Sequence, residues 1–143
     1  LMQPSTSALV IVPEALISQW VDELEQKFRL KSLPGSYQVL GHHEVHSISS
    51  TPQTIVVVDE AHRFTDRLLG GQSDPQRMAT YERLQEIAHA ADALLLLSAT
   101  PVRSNEDSFL SLLNLLDPGL YPIDDLDGFT GLTLSMGTER QYR

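Results

Sequence analysis

Short aliphatic runs alternate with amphipathic stretches along the chain. Residues 8–12, 54–58 and 93–97 consist almost entirely of aliphatic side chains, which predicts buried strands. The four β-branched residues that end the run at 54–58 predict burial on both faces, as in the centre of a parallel sheet, and 93–97 is expected to be fully buried as well. Residues 37–40 are compatible with a short further strand, whereas the polar segment 41–53 predicts mostly loop.

Three stretches carry apolar residues at three- and four-residue spacing, which predicts amphipathic helices at 14–28, 76–91 and 105–116. Trp20 and Phe28 lie in the apolar stripe of the first of these. Because strands and helices alternate, we expect an α/β fold, a three-layer sandwich with a mainly parallel sheet. The tail after about residue 122 is rich in Gly and Asp and stays ambiguous.

The tetrad Asp59-Glu60-Ala61-His62 directly follows the strand at 54–58. Functional groups in parallel sheets lie just past the carboxyl ends of strands, and a hydrophobic strand that ends in Asp-Glu is the Walker B arrangement of nucleotide hydrolases. Asp59 is expected to hold Mg²⁺ through a water, because this ion needs hard oxygen ligands. Glu60 is expected to activate the water that attacks the γ-phosphate of ATP, and His62 to couple that carboxylate to neighbouring loops.

A second motif, Ser98-Ala99-Thr100-Pro101, directly follows the strand at 93–97. Its hydroxyl groups can hydrogen-bond to the acid and the histidine of the first motif. Ser98 and Thr100 are therefore expected to couple hydrolysis to motion. Alone, the motif would be explained by an ordinary turn. Its pairing with the upstream tetrad favours the coupling role.

The helix that follows Pro13 supplies a third candidate region. Its N-terminus offers backbone N–H groups to a phosphate. Gln19 and Trp20 are candidates for contact with a nucleic-acid backbone. For Trp20 a structural place in the core is an equally good interpretation, since the side chain lies in the apolar stripe.

Together these elements resemble the first RecA-like lobe of superfamily 2 helicases, and more narrowly the SNF2/RapA-type branch. Residues 13–28 are similar to motif Ia of that branch, 59–62 to motif II and 98–100 to motif III. The most branch-specific match is 98–122, where Ser-Ala-Thr-Pro leads into a helix that ends in Leu-Leu-Asp-Pro. The resemblance implies that 1–143 is a partial N-terminal ATP-binding lobe, and that ATP hydrolysis drives movement along double-stranded DNA.

The sequence contains no G-x-x-x-x-G-K-[ST] phosphate-binding loop. The resemblance places that loop upstream of Leu1 and an arginine finger in a second RecA-like lobe, so we expect an inactive fragment of a longer ATPase. ATP, Mg²⁺, double-stranded DNA and the second lobe are the expected ligands and partners. A sheet edge left open by the absent strand would favour self-association. Two alternatives stay open: a strand-separating DEAH-type helicase or restriction-motor lobe, and a non-catalytic RecA-like interaction module.

Composition limits the ligands and the cellular location expected of the chain. Ten Lys and Arg against 19 Asp and Glu give a net charge of −9, which argues against tight DNA binding by this chain alone. The absence of cysteine excludes a disulfide framework and a Cys-based zinc site. No apolar run reaches the roughly 20 residues that cross a bilayer. We therefore expect no membrane partner and a cytoplasmic protein, associated with the nucleoid in a bacterium, or a nuclear one in a eukaryote.

A local cluster of His42, His43, Glu44 and His46 offers side chains that can ligate a metal. One short loop rarely supplies a complete metal site. A solvated polar loop is therefore the favoured interpretation, with contact to DNA as an alternative.

Overall fold

A computed structural model of the chain describes residues 6–29, 35–48, 52–66, 68, 74–99 and 106–123. Four strands lie in the described part: β1 (Ser7–Val12), β2 (Ser36–Gly41), β3 (Ile55–Val58) and β4 (Ala93–Leu96). All pair in parallel, in the spatial order β2-β1-β3-β4. The predicted α/β fold with a parallel sheet is confirmed. The tail after residue 123 lies outside the described residues.

Helices flank this sheet. They are α1 (Ile17–Gln26), α2 (His62–Thr65), α3 (Pro75–Ala90) and α4 (Glu106–Leu116). Helix α3 begins at Pro75 because the side chain of Asp74 accepts a hydrogen bond from the backbone N–H of Gln76, and Pro75 suits the first helical position. No helix in the described ranges is long and apolar enough to cross a membrane.

The first predicted helix is shorter than the pattern at 14–28 suggests. A 3₁₀ turn, Glu14–Leu16, precedes α1, and the chain leaves the helix after Gln26. Arg29 has a φ of 50°, a left-handed conformation that is common just past a helix end. Phe28, the last residue of the predicted apolar stripe, lies beyond α1 and is 64% exposed.

The hydrophobic core lies on one face of the sheet. Alternate residues of β1 and β3 point into it, because Leu9 pairs with Val56 and Ile11 with Val58 in the parallel register. Helices α3 and α4 cover this face with five buried side chains: Tyr81, Leu84, Ile87, Leu112 and Leu115. The Tyr81 hydroxyl donates to the backbone carbonyl of Ser111 at 2.7 Å, which joins the two helices.

The opposite face of the sheet is less well covered than the aliphatic runs predict. Ile55 is 37% exposed and Leu95 is 52% exposed, so the predicted burial of both faces at 54–58 and of the whole run at 93–97 is wrong. For Leu95 the reason is the position of its strand in the sheet. Strand β4 is an edge strand among those described, and α1 contacts β2 at the other edge. An aliphatic run has the same sequence pattern in a central strand and in an edge strand.

The segment 41–53, predicted as mostly loop, contains a 3₁₀ helix, His42–Ser47. The Gly41 backbone N–H donates to the Glu44 side chain at 2.7 Å, which closes the first turn. Val45 is fully buried and anchors this turn to the core.

Candidate functional site

The turn after β3 is held by hydrogen bonds that continue the pattern of the sheet. The Asp59 backbone N–H donates to the Ile11 carbonyl at 2.8 Å, and the Ala61 N–H donates to the Leu97 carbonyl at 2.9 Å. The Leu97 N–H in turn donates to Val58 at 2.9 Å. The ends of β1, β3 and β4 are therefore fixed to one another, and the residues that follow β3 and β4 meet at one edge.

Every polar group of Asp59 has a partner. The Trp20 indole N–H donates to Oδ2 at 3.0 Å, and the Glu60 backbone N–H donates to Oδ1 at 2.9 Å. His42 donates from Nε2 to the Asp59 carbonyl oxygen at 2.8 Å. Each carboxylate oxygen has further lone pairs. Asp59 is thus fixed in orientation and can still accept hydrogen bonds from another ligand.

Glu60 lies in the left-handed backbone region, with a φ of 50°. Residues with a side chain rarely adopt this conformation, and when they do it is concentrated at functional sites. The Glu60 carbonyl accepts from the Arg63 N–H at 3.0 Å, at the start of α2. The backbone therefore turns sharply at the predicted catalytic glutamate, just past the end of β3.

His62 bridges the two loops. Its Nδ1 atom lies 2.9 Å from the Ser98 hydroxyl oxygen and 3.3 Å from Glu60 Oε2. The structure thus brings together three residues that the sequence selected for this edge. Their catalytic and coupling roles stay predictions, and Thr100 lies outside the described residues.

Helix α1 places Gln19 and Trp20 differently. Gln19 is exposed, whereas Trp20 is half-buried and its indole N–H is bound to Asp59. Neither interpretation of Trp20 drawn from the sequence, a core position or a nucleic-acid contact, included this bond. Contact with nucleic acid stays a prediction for both residues.

The histidine-rich turn is not built as a metal site. His42 reaches Asp59, His46 lies 3.0 Å from the Thr80 hydroxyl, and His43 lies 3.7 Å from Glu14. Among the described residues no group of three or more His, Cys, Asp or Glu side chains stands together to hold a metal. The favoured picture of a solvated polar loop is also wrong for His42, which packs at a ring-centroid distance of 4.4 Å against Phe64.

Burial lowers the pKa of His42 from its ordinary value of 6.5. The hydrogen bond to the Asp59 carbonyl raises it, Arg63 lowers it, and the charges of Asp59 and Glu60 raise it, but burial dominates. The neutral ring suits the observed contact, in which Nε2 carries the hydrogen.

Beside His42 a cavity of about 350 Å³ opens between the 3₁₀ turn, α2 and the start of α3, with Arg63 and Arg77 in its lining.

Two curated bacterial proteins are similar to the chain. The "Uncharacterized ATP-dependent helicase YqhH" of Bacillus subtilis (strain 168) is 27% identical over 128 residues, which cover 78% of this chain and 21% of that protein. The "RNA polymerase-associated protein RapA" of Klebsiella pneumoniae (strain 342) is 26% identical over 139 residues, which cover 79% of this chain and 14% of that protein. No protein-family model matches the chain.

These similarities support an SNF2/RapA-like helicase-family assignment. The chain spans about a fifth of one relative and a seventh of the other. The parallel sheet with flanking helices is consistent with a partial RecA-like fold, the fold expected of this family.

The sequence selected Trp20 and His42 as candidates but did not predict the contact of either residue with Asp59. A signal for His42 existed, because it directly follows β2 and therefore lies at the same carboxyl edge as Asp59. No comparable signal existed for Trp20. Its helical position favours the apolar side of α1, but the sequence does not show which acceptor the indole N–H reaches.

Proposed function

We propose that the chain is part of the first motor lobe of a DNA-dependent ATPase of SNF2/RapA-like type, which couples ATP hydrolysis to movement along double-stranded DNA. The observation that carries the proposal is the junction of the two loops after β3 and β4. Asp59 and Glu60 directly follow β3, and His62 hydrogen-bonds to Ser98 on the next loop. The relatives support it, since one is named an ATP-dependent helicase and the other an RNA polymerase-associated protein.

The donor set at this edge fits Mg²⁺. Asp59 and Glu60 offer carboxylate oxygens, and this ion is usually held by one or two carboxylates together with waters and substrate phosphates. A complete protein cage is not required, in keeping with the absence of one among the described residues. Asp59 would hold the ion through a water, with its orientation fixed by Trp20 and the Glu60 backbone. The bound ion would neutralise charge on the phosphates of ATP.

Glu60 would act as the base that orients and deprotonates the attacking water. Its backbone turn sets it at the edge of the sheet, and His62 lies 3.3 Å from its carboxylate. His62 would pass a change at Glu60 to Ser98, and Thr100 is proposed to act on the same loop. Gln19 on α1 is proposed to face the DNA track, with Trp20 beside it.

Hydrolysis is not expected from this chain alone. Its sequence has no G-x-x-x-x-G-K-[ST] loop, so the phosphates of ATP lack the usual backbone cradle. We propose that a longer protein supplies that loop and a second RecA-like lobe, and that the protein acts in the cytoplasm near the nucleoid. We also propose that the isolated chain self-associates through its open sheet edge.

The test is the ATPase rate of a longer protein that contains this chain, measured without nucleic acid and with single-stranded DNA, double-stranded DNA or RNA. Strong stimulation by duplex DNA is expected. Stimulation only by single strands or RNA would favour a strand-separating helicase. No turnover under any of these conditions would favour a non-catalytic module.

Glu60→Gln in the same protein is expected to abolish turnover while nucleotide still binds, because the amide cannot accept the proton. Glu82→Gln is the matched control, since Glu82 is exposed on α3. Near-normal ATPase activity in Glu60→Gln would remove Glu60 from its proposed role.

A further inference from the structure

We infer that Trp20 is a positioning residue for Asp59, and that its indole N–H ties helix α1 to the carboxylate that would hold Mg²⁺. The inference rests on the proposed function for the role of Asp59. The contact itself stands on geometry alone. Trp20 and Asp59 are 39 positions apart, and the indole nitrogen lies 3.0 Å from Oδ2.

The chemistry of the pair explains why this contact fixes the site. An indole nitrogen can only donate, and an ionised carboxylate can only accept. Such charge-assisted hydrogen bonds are stronger than neutral ones. The terminal torsion of Asp is broad, so a carboxylate at the end of a strand needs outside donors to set its plane. Trp20 supplies the donor for Oδ2, and the backbone of Glu60 supplies the donor for Oδ1.

The contact also matters for α1. No residue of this helix is fully buried, so directed contacts help to set its position together with its half-buried apolar side chains. Trp20 binds Asp59 in the first half of the helix, and Glu25 accepts from the Tyr37 hydroxyl at 2.9 Å near the helix end. Gln19, the exposed neighbour of Trp20, lies on the same turn. A displacement of the Asp59 carboxylate therefore moves the part of α1 that carries Gln19.

The Tyr37–Glu25 contact provides a matched control. It is also a side-chain hydrogen bond from an aromatic residue that holds α1, but it does not involve Asp59. Tyr37→Phe and Trp20→Phe each remove one such bond and keep an aromatic ring. A purely structural role for Trp20 predicts similar effects of the two variants, whereas a positioning role predicts an effect on the dependence on Mg²⁺ for Trp20→Phe alone.

The first experiment is an NMR spectrum of the 143-residue chain, which contains a single tryptophan and therefore gives one indole N–H resonance. Asp59→Ala is expected to move this resonance upfield and to speed its exchange with solvent. Tyr37→Phe is expected to leave it in place. An unchanged resonance in Asp59→Ala would overturn the inference. If Asp59→Ala does not fold, Asp59→Asn decides in the same way, since its neutral acceptor must give a smaller upfield shift.

The second experiment measures ATPase activity against Mg²⁺ concentration in a longer protein that contains this chain. Trp20→Phe is expected to raise the half-saturating Mg²⁺ concentration, or to lower activity at fixed Mg²⁺, by about 10- to 100-fold, the usual effect of losing a partner of a metal-binding side chain. Tyr37→Phe should stay near the parent. Equal effects of the two variants, or a Trp20→Phe protein with unaltered dependence on Mg²⁺, would overturn the inference. If the parent hydrolyses no ATP, the proposed function fails, and the indole resonance alone decides whether Trp20 holds Asp59.

Discussion

His62 Nδ1 lies 2.9 Å from the Ser98 hydroxyl oxygen, a side-chain contact between residues 36 positions apart. The same nitrogen lies 3.3 Å from Glu60 Oε2. One ring nitrogen cannot make a full hydrogen bond to both oxygens at once. A change of partner between the hydroxyl and the carboxylate would give the loops after β3 and β4 two discrete arrangements, which is how the proposed coupling of hydrolysis to movement would work.

Removal of the His62 or the Ser98 side chain should therefore weaken the coupling of ATP hydrolysis to movement. In a longer protein that contains this chain, we expect His62→Ala and Ser98→Ala each to lower DNA-stimulated ATPase activity. The free-energy effect of the double variant on the stimulated rate should be smaller than the sum of the two single effects, with a coupling energy of about 0.5–3 kcal/mol. A double-mutant cycle on stimulated rates measures this. Ser47→Ala, at an exposed serine of the 3₁₀ turn, is the control. Strictly additive losses would show that the contact carries no coupling.

The backbone of Glu60 leads to a prediction about stability. A left-handed residue with a side chain costs about 1–2 kcal/mol, and Gly relieves this at an entropic cost of about 0.5–1 kcal/mol. Glu60→Gly should therefore leave the free energy of unfolding unchanged or raise it by up to about 1.5 kcal/mol. Chemical denaturation of the 143-residue chain measures this.

Arg29→Gly is the matched control, because Arg29 has the same φ of 50° but lies past α1, away from Asp59. It should change stability in the same direction as Glu60→Gly. A clear loss of stability in Glu60→Gly alone would mean that contacts of the Glu60 side chain, and not backbone strain, dominate at this position.

The parallel sheet explains how much of the site the sequence could predict. Glu60, His62 and Ser98 meet because the carboxyl ends of parallel strands lie at one edge, and that rule needs only the positions of the strands. The contact of Trp20 with Asp59 depends on how α1 crosses the sheet, which the helical period does not contain. The exposure of Leu95 was missed because an aliphatic run does not show whether its strand lies at the centre or at the edge.

The lowered pKa of His42 predicts a dependence of stability on pH. Because burial holds the folded-state pKa below 6.5, the unfolded chain binds more protons between the two pKa values. The free energy of unfolding should therefore be fully maintained above pH 6.5 and should fall as the pH decreases towards the folded-state pKa. Denaturation of the chain at several pH values in the presence of a chelator measures the slope of the free energy of unfolding against pH.

His42→Gln should reduce the slope, because the amide keeps a donor for the Asp59 carbonyl but does not titrate. His43→Gln is the control, since His43 is exposed beside it. Equal slopes in the parent and His42→Gln would assign the loss of stability to other groups.

The open side of the sheet predicts self-association of the isolated chain. Leu95 and Ile55 are 52% and 37% exposed on one face, and β4 pairs only with β3 among the described strands. Exposed aliphatic side chains beside an unpaired strand edge favour contact with a second copy. Sedimentation velocity over a range of concentrations should show reversible dimers or larger species. Leu95→Lys should weaken this association at least about tenfold, since it places a charge on the apolar face.

Leu116→Lys tests whether the effect belongs to the sheet. Leu116 is also 52% exposed but lies at the end of α4, so this variant adds the same charge at equal exposure. It should associate as the parent does. A parent chain that stays monomeric throughout, or a Leu116→Lys chain that dissociates as readily as Leu95→Lys, would show that the open side of β4 is not the contact surface.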